Sequence, residues 1–351
     1  MIKYLLIFFS SLIISLLLTP LFLRLALNLK VVDYPGERKI HEVPIPYFGG
    51  IVIYLAFIIG MGFALWNNPS LIKEFKSQLL GLWVGGTFIF LLGMVDDIKQ
   101  VPALLKLIFQ ILAALILFNY GFKISTITNP FGNPINLGIL SLPITILWVV
   151  ALTNAINLID GLDGLAAGVV SIASLTLFLI AVGQQNLVIS FMCIALTGST
   201  LGFLKYNFHP AKIFMGDAGS MLLGFILSSI AIILEGTKIS VTMTLLIPII
   251  ALGVPIFDTI LVFIHRIIKE KIFFKPGQEH LHYRLLKIGL THRQVILLIY
   301  FICVYLGMTA YILTVIPKEY TLLILVILGM GLFLGMKTLG FIEKRIRDRD
   351  L

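Results

Sequence analysis

Eleven long apolar segments restrict what this chain can fold into more than any other feature of its sequence. They cover residues 4–27, 48–66, 78–95, 103–119, 140–158, 164–183, 187–205, 218–234, 241–265, 294–314 and 321–340. Apolar runs of about 17 to 25 residues cross a bilayer as helices. Because only 12% of the residues are charged, a soluble globular domain is excluded. The sequence predicts an all-α polytopic integral membrane protein with about eleven transmembrane helices, forming a single domain over residues 1–351.

The Lys and Arg residues predict how the chain is oriented in the membrane. The segments 24–48, 96–106, 205–217, 265–293 and 337–351 hold 20 of the 26 basic residues and all six His residues. By the positive-inside rule these segments are cytoplasmic, which places the N-terminus outside and the C-terminus inside. The predicted cytoplasmic loops are 28–48, 96–103, 159–164, 205–218 and 266–293, and a hairpin-like loop at 120–142 faces outward. Chemistry is therefore expected on the cytoplasmic face.

A polar stretch interrupts the apolar pattern between the fifth and sixth segments. Asn154, Asn157 and Asp160 are spaced by three, so on a helix they form one polar stripe, and Gly161 and Asp163 follow. A helix-turn-helix explains Gly161 as the stop and Asp163 as the next N-cap. It does not explain the stripe, because amides and carboxylates beside hydrocarbon are costly unless they line a site.

Two further acidic positions lie at predicted helix ends. Asp96 and Asp97 close the third segment, where adjacent carboxylates repel each other and face the negative end of the helix dipole. Such a pair suits acid–base chemistry or a hard cation. Asp217 lies between Gly216 and Gly219 at the start of the eighth segment, where it is either an N-cap or a Mg²⁺ ligand beside phosphate-binding N–H groups.

The longest basic loops carry histidines. Lys39 and His41 lie on a loop stiffened by proline, which indicates either a positive-inside anchor or phosphate binding. His280 and His282 form a His-x-His pair that would diverge on a helix. Zinc is disfavoured there, since no Cys or third well-spaced His accompanies the pair.

The ninth segment is predicted to be broken or bent. It contains Pro248 and Pro255, and the backbone groups freed at such a break must be satisfied inside the bundle. The segment also carries Asp258, which is expected to pair with His265 or Arg266.

The chain resembles the polyprenyl-phosphate N-acetylhexosamine-1-phosphate transferases, the family that contains WecA, TagO and MraY. Five motifs that occur here in the family's order carry the resemblance, over nearly the whole chain: Arg38, Lys39 and His41 before Gly49 and Gly50; Asp96 with Asp97; Asn154, Asn157, Asp160 and Asp163; Phe214 with Asp217; and His280 with His282. The first and last motifs resemble the WecA/TagO-like branch. One departure is Tyr283, where many WecA-like relatives have His.

The resemblance implies a reaction and its partners. N-acetylhexosamine-1-phosphate, most simply GlcNAc-1-phosphate, passes from the UDP-sugar to undecaprenyl or another polyprenyl phosphate. This releases UMP and starts a lipid-linked cell-envelope glycan. The implied cofactor is Mg²⁺, with Mn²⁺ as a substitute. The expected location is the plasma (inner) membrane, with no nucleic-acid partner and with a homodimer allowed.

Residue roles follow by motif matching alone. Asp96 and Asp97 are implied to be the catalytic acids, and Asp217, helped by Asp97, the metal ligand. Asp163 and Phe214 are implied to contact the uracil and the nucleoside. The further substrate-binding candidates are Lys39, His41, Asn154, Asn157, Asp160, His280, His282 and Arg284.

Two alternatives remain open from the sequence. The first is a UDP-MurNAc-pentapeptide phosphotransferase of the MraY type. The second, from a different class, is a secondary transporter with acidic residues on its ion path. Transporters place ionisable groups near the bilayer midplane, whereas most carboxylates here lie at predicted cytoplasmic helix ends.

Overall fold

A computed structural model describes residues 1–35, 43–127, 135–235, 245–269 and 279–347. Within these ranges the regular elements are helices and two short β-ribbons. In chain order they are α1 (Ile2–Asn28), β1 (Val32–Asp33), β2 (Ile45–Pro46), α2 (Gly49–Trp66), α3 (Pro69–Glu74), α4 (Lys76–Lys99), α5 (Ala103–Asn119), β3 (Thr126–Ile127), β4 (Ile135–Asn136), α6 (Ser141–Ile159), α7 (Leu165–Gly183), α8 (Leu187–Asn207), α9 (Gly216–Glu235), α10 (Leu246–Ala251), α11 (Gly253–Ile268), α12 (Leu281–Lys287), α13 (His292–Val315) and α14 (Thr321–Arg347).

The predicted helical, multi-pass class is confirmed. Among the described residues, eight helices are long and apolar enough to cross a membrane: α1, α2, α4, α6 with the 3-10 turn before it, α7, α8, α9 and α13. Helix α5 and the first part of α14 are shorter apolar helices. Each of the eleven predicted segments contains helix over its described residues. The number of membrane crossings and their direction stay predictions.

The ninth predicted segment is broken, as expected. Helix α10 ends at Ala251, Leu252 is non-helical, and α11 begins at Gly253. Pro255 lies in the first turn of α11, where backbone N–H groups have no acceptor within the helix, so proline costs no helical hydrogen bond there. Helix α11 still packs against α6 and α13 after the break.

Helix α9 lies at the centre of the bundle, packed against α2, α4 and α6. Glycines permit these close approaches. A Cβ at Gly93 of α4 would collide with the backbone of Ala218, and one at Gly50 of α2 would lie 2.5 Å from the backbone nitrogen of Gly219. The N-terminus of α9 is thereby held against the C-terminal end of α4, with the start of α2 beside it.

The two ribbons lie in the proline-stiffened loop before α2 and in the loop predicted to be hairpin-like. In the first, Val32 pairs with Pro46 and Asp33 with Ile45. The N–H of Phe214 donates to the carbonyl of Pro46 at 2.9 Å, which attaches this ribbon to the segment before α9. In the second, Thr126 pairs with Asn136. The antiparallel pairing predicted for loop 120–142 is confirmed, while the turn itself lies outside the described residues.

Candidate active site

One cavity of about 810 Å³ collects residues from all five predicted cytoplasmic loops. Its wall comprises Asp33, Val43, Ile45, Tyr47, Asp96, Asp97, Gln100, Val101, Lys106, Asn157, Asp160, Gly161, Leu162, Asp163, Asn207, His209, Pro210, Ala211, Phe214, Gly216, Asp217, Tyr283 and His292. Loops that are far apart in sequence thus meet on one side of the bundle. Four of these loops were grouped by their basic residues, whereas loop 159–164, which has no Lys or Arg, was predicted from its polar residues.

A lysine from α5 links carboxylates from two other helices. The Nζ atom of Lys106 forms ion pairs with Asp96 at the end of α4 and, at 3.0 Å, with Asp217 at the start of α9. Asp96 also accepts the N–H of Val101 at 2.6 Å. The other oxygen of Asp217 accepts from Nδ2 of Asn157 at 2.8 Å. Three helix ends are therefore connected around one ammonium group.

Asp97 has a structural role that its place at the end of α4 did not suggest. Its two carboxylate oxygens accept the backbone N–H groups of Asp217 and Ala218, at 2.7 and 3.2 Å. It thus caps α9 from a neighbouring helix. The positive end of the α9 dipole offsets the unfavourable end of the α4 dipole.

Asp160 ends α6 and faces the same acidic cavity. Its side chain is half-buried, and burial, followed by the charges of Asp217 and Asp97, raises the pKa of its carboxyl well above the ordinary value. Desolvation and like charges both disfavour the ionised form. A proton held here would lower the charge repulsion in the cavity.

Asp163 belongs to a second cluster in the cavity wall. Its Oδ2 lies 2.8 Å from Nδ1 of His209 and accepts the N–H of Ala211 at 3.0 Å. The His209 ring stacks on His292, with centroids 4.0 Å apart and planes at 14°. Potential ligand atoms of Asp163, His209 and His292 lie within 4.8 Å of one another. Imidazole nitrogens bind metals in the ring plane, so two parallel stacked rings could share one ion only after turning.

Aromatic side chains form another part of the wall. Phe214 and Tyr47 both line the cavity, with ring centroids 6.3 Å apart. Burial, followed by the charge of Asp33, raises the pKa of the Tyr47 hydroxyl, which therefore stays protonated. The two rings are tilted by 50° to each other, and each offers an aromatic face to a planar ligand group in the cavity that Asp163 also lines.

Four predicted site residues do not line the cavity: Asn154, His280, His282 and Arg284. Asn154 forms a reciprocal amide pair with Gln110 of α5, at 2.6 and 3.2 Å. Lys39 and His41 lie outside the described residues. A direct substrate role for these residues stays a prediction.

The expected pairing of Asp258 with His265 or Arg266 is wrong. Asp258 lies 2.8 Å from Nδ1 of His280 and accepts the N–H of Leu281 at 2.7 Å. Arg266 instead pairs with Glu279 at 2.9 Å. The chain returns after α11, and this brings the His-x-His segment to Asp258.

Sequence reasoning missed Lys106, His209 and His292 as members of the site. Lys106 is the one charged residue in the apolar segment 103–119, which is a signal, because isolated charges within such segments mark functional positions. For the two histidines the only signal is that all six His residues share the same set of loops.

The donor set fits a hard divalent cation. The described cavity wall contains six Asp residues and, of Lys and Arg, only Lys106. Carboxylate oxygens are the ligands that Mg²⁺ prefers. Without further positive charge this wall would repel a phosphate ligand. Asp217 at the start of α9 and Asp97 at the end of α4 are the residues that would hold the ion.

Comparisons with known proteins identify a family of transferases. A family model described as glycosyl transferase family 4 matches residues 79–235. The chain is 36% identical, over 99% of its length and 95% of the relative's, to the probable undecaprenyl-phosphate N-acetylglucosaminyl 1-phosphate transferase of Bacillus subtilis (strain 168).

Two other kinds of relative are similar over shorter stretches. The decaprenyl-phosphate N-acetylglucosaminephosphotransferase of Mycobacterium tuberculosis (strain ATCC 25618 / H37Rv) is 35% identical over 79% of this chain and 74% of its own. The phospho-N-acetylmuramoyl-pentapeptide-transferase of Clostridium beijerinckii is 34% identical over 63% of this chain and 71% of its own.

Proposed function

Because the chain belongs to glycosyl transferase family 4, we propose that it transfers N-acetylglucosamine-1-phosphate to a polyprenyl phosphate in the membrane. The observation that carries the proposal is the acidic cavity at the converging ends of α4, α6 and α9, with Lys106 between Asp96 and Asp217. At the helix ends a membrane lipid and a soluble nucleotide can both reach the cavity, and Lys106 with a bound cation would offset its acidic charge.

The proposed donor is UDP-GlcNAc, and UMP is the leaving group. Support comes from the relative that matches almost the whole chain, whose name specifies N-acetylglucosaminyl 1-phosphate. A pentapeptide-bearing donor is less well supported, because the muramoyl-pentapeptide relative matches a smaller share of this chain. In the site, Asp163 and Phe214 are the proposed contacts of uracil and nucleoside.

Mg²⁺ is the proposed cofactor, with Mn²⁺ as a substitute, and Asp217 and Asp97 would hold it. When bound, it would neutralise charge on the diphosphate of the donor. Lys106 supplies a second positive charge from the protein itself, and its ammonium is a compact partner for phosphate oxygens. Both positive charges would reduce the repulsion between the lipid phosphate monoester and the donor diphosphate, which must approach each other.

The proposed chemical step is direct attack by a lipid-phosphate oxygen on the β-phosphorus of UDP-GlcNAc. The new P–O bond forms as the bond to UMP breaks, and Asp96 accepts the proton of any lipid phosphate that is still a monoanion. A phosphate monoester has a second pKa near 6, so it is already mostly a dianionic nucleophile at neutral pH. The hydrogen bonds support this scheme. Both oxygens of Asp96 and both oxygens of Asp97 already accept hydrogen bonds, which makes either carboxylate a poor nucleophile.

The cavity is proposed to open on the cytoplasmic face of the plasma membrane, with the N-terminus outside the cell. The support is the concentration of Lys and Arg in the loops that form the cavity. This orientation is tested by introducing single cysteines at Lys30 and at Asn67 and labelling intact cells with a membrane-impermeant reagent. Labelling of Lys30→Cys by an impermeant reagent would contradict it.

The function is tested by UMP release from purified protein in detergent. The assay contains Mg²⁺, undecaprenyl phosphate and a panel of UDP-sugars. We expect release with UDP-GlcNAc and none without lipid. Release only with UDP-MurNAc-pentapeptide would indicate the other donor. Absence of turnover together with ion flux in liposomes would indicate a transporter.

A further inference from the structure

The pair Asp258 and His280 lies beside the cavity and has no role in the proposed reaction so far. Each residue is only 5% exposed. One carboxylate oxygen of Asp258 lies 2.8 Å from Nδ1 of His280, and the other accepts the N–H of Leu281 at 2.7 Å. Asp258 thus holds both a ring and the backbone at the start of α12.

The first turn of α12 contacts the turn that follows α6. His282 is 1% exposed, and its ring lies nearly parallel to that of His280, with centroids 5.7 Å apart. A Cβ at Gly161 would collide with Nε2 of His282 and would lie 3.2 Å from the hydroxyl of Tyr283. Tyr283 and Gly161 are both cavity-wall residues. A shift at His280 would therefore move the wall of the cavity.

A second pair joins the same two segments and offers a comparison. Arg266 of α11 contacts Glu279 at 2.9 Å, one residue before His280. This pair attaches the incoming chain to α11 through side chains that precede the His-x-His segment. Removing its charge should leave the Asp258 contacts in place.

We propose that Asp258 is a positioning residue for the transfer reaction: it orients His280 and the start of α12 so that His282 and Tyr283 complete the cavity wall at Gly161. This inference rests on the proposed function. The carboxylate oxygen of Asp258 at 2.8 Å accepts a hydrogen bond, which favours a proton on Nδ1 of His280. Asp258 thus determines both where α12 begins and which nitrogen of His280 carries the proton.

Three single variants test the role by UMP release with UDP-GlcNAc, Mg²⁺ and undecaprenyl phosphate. Asp258→Ala should lower kcat by about 100-fold, the effect of a displacement on the order of 1 Å in a positioning group. KM for UDP-GlcNAc should stay unchanged, because only transition-state geometry is lost. Asp258→Asn keeps an oxygen for Leu281 but presents N–H to His280, so kcat should fall while the unfolding temperature stays that of the parent. Glu279→Gln is the matched control and should retain parent activity.

A double-mutant cycle separates positioning from a general structural role. If Asp258 acts through His280, the Asp258→Ala, His280→Ala double variant should be no slower than the slower single variant. Multiplying effects would overturn the inference. So would parent-like kcat in Asp258→Asn, or an Asp258→Asn protein that fails to fold in detergent. A parent protein that releases no UMP would instead overturn the proposed function, and this role with it.

Discussion

The ammonium group of Lys106 lies between the carboxylates of Asp96 and Asp217, although the three residues belong to three different helices. The Asp96 side chain is 4% exposed, that of Lys106 25% and that of Asp217 32%. The cation is thus partly accessible from the cavity. These ion pairs join Asp96 and Asp217, which were predicted to be site residues, to Lys106, which was not.

Replacing Lys106 should therefore abolish most activity. Lys106→Gln removes the charge opposite the phosphates and leaves Asp96 buried without its cation. We expect kcat/KM to fall by about 100-fold or more, comparable to the loss of one donor in a preorganised electrostatic site. UMP release measured at equal amounts of folded protein checks this. Lys106→Arg is the control that keeps the charge, and an active Lys106→Gln variant would remove Lys106 from the site.

Asp217→Asn tests the proposed metal ligand. The amide keeps the size of the side chain and an oxygen for Asn157, but it lacks the charge that a hard cation requires. We expect activity to be lost, with the unfolding temperature in detergent close to that of the parent. Titration of activity against Mg²⁺ provides the measurement. Near-normal turnover at low Mg²⁺ would show that Asp217 is not the ligand.

Isotope exchange distinguishes direct attack from a covalent enzyme intermediate. A covalent sugar-phosphoryl enzyme would release UMP before lipid binds, so labelled UMP would enter UDP-GlcNAc without polyprenyl phosphate. Direct attack predicts no such exchange. Exchange at a rate comparable to turnover, abolished by Asp96→Asn, would make Asp96 the nucleophile and refute the scheme proposed above.

His282 should make the protein sensitive to acid. Burial lowers the pKa of His282 to about 4, below the value of about 6.5 expected in the unfolded chain. Between these values the unfolded state binds the extra proton, so the stabilisation is complete above about pH 6.5 and is lost as the pH falls toward 4. Protonation of His282 should lower the free energy of unfolding by about 3 kcal/mol once the pH is below about 4.

Unfolding temperatures in detergent, measured from about pH 7 to pH 4, check this dependence. His282→Gln should reduce the slope with pH, whatever its effect at neutral pH, because glutamine does not titrate. An equally steep decline in the variant would assign the acid sensitivity to other groups.

Local patterns in the sequence were sufficient for much of the architecture. Apolar runs predicted the helices because a bilayer requires internally bonded backbone, whatever the neighbours are. The proline-stiffened loop before α2 was predicted to be non-helical, and part of it forms β2, while Pro248 and Pro255 predicted the break at Leu252. The distribution of basic residues correctly grouped four of the five loops around one cavity, whereas loop 159–164 contains no Lys or Arg and was predicted from its polar residues between two apolar segments.

Pairings between distant residues depended on the tertiary structure. Asp97 caps α9 from 120 residues away, and Lys106 reaches Asp217 across 111 residues. Asp258 contacts His280 instead of the nearer His265 or Arg266. Any such sequence offers several residues that could pair with a given carboxylate, so residue type alone does not determine which partner it contacts. The helix packing selects it, through close approaches such as that of Gly93 to Ala218, which decide which side chains come within hydrogen-bonding distance.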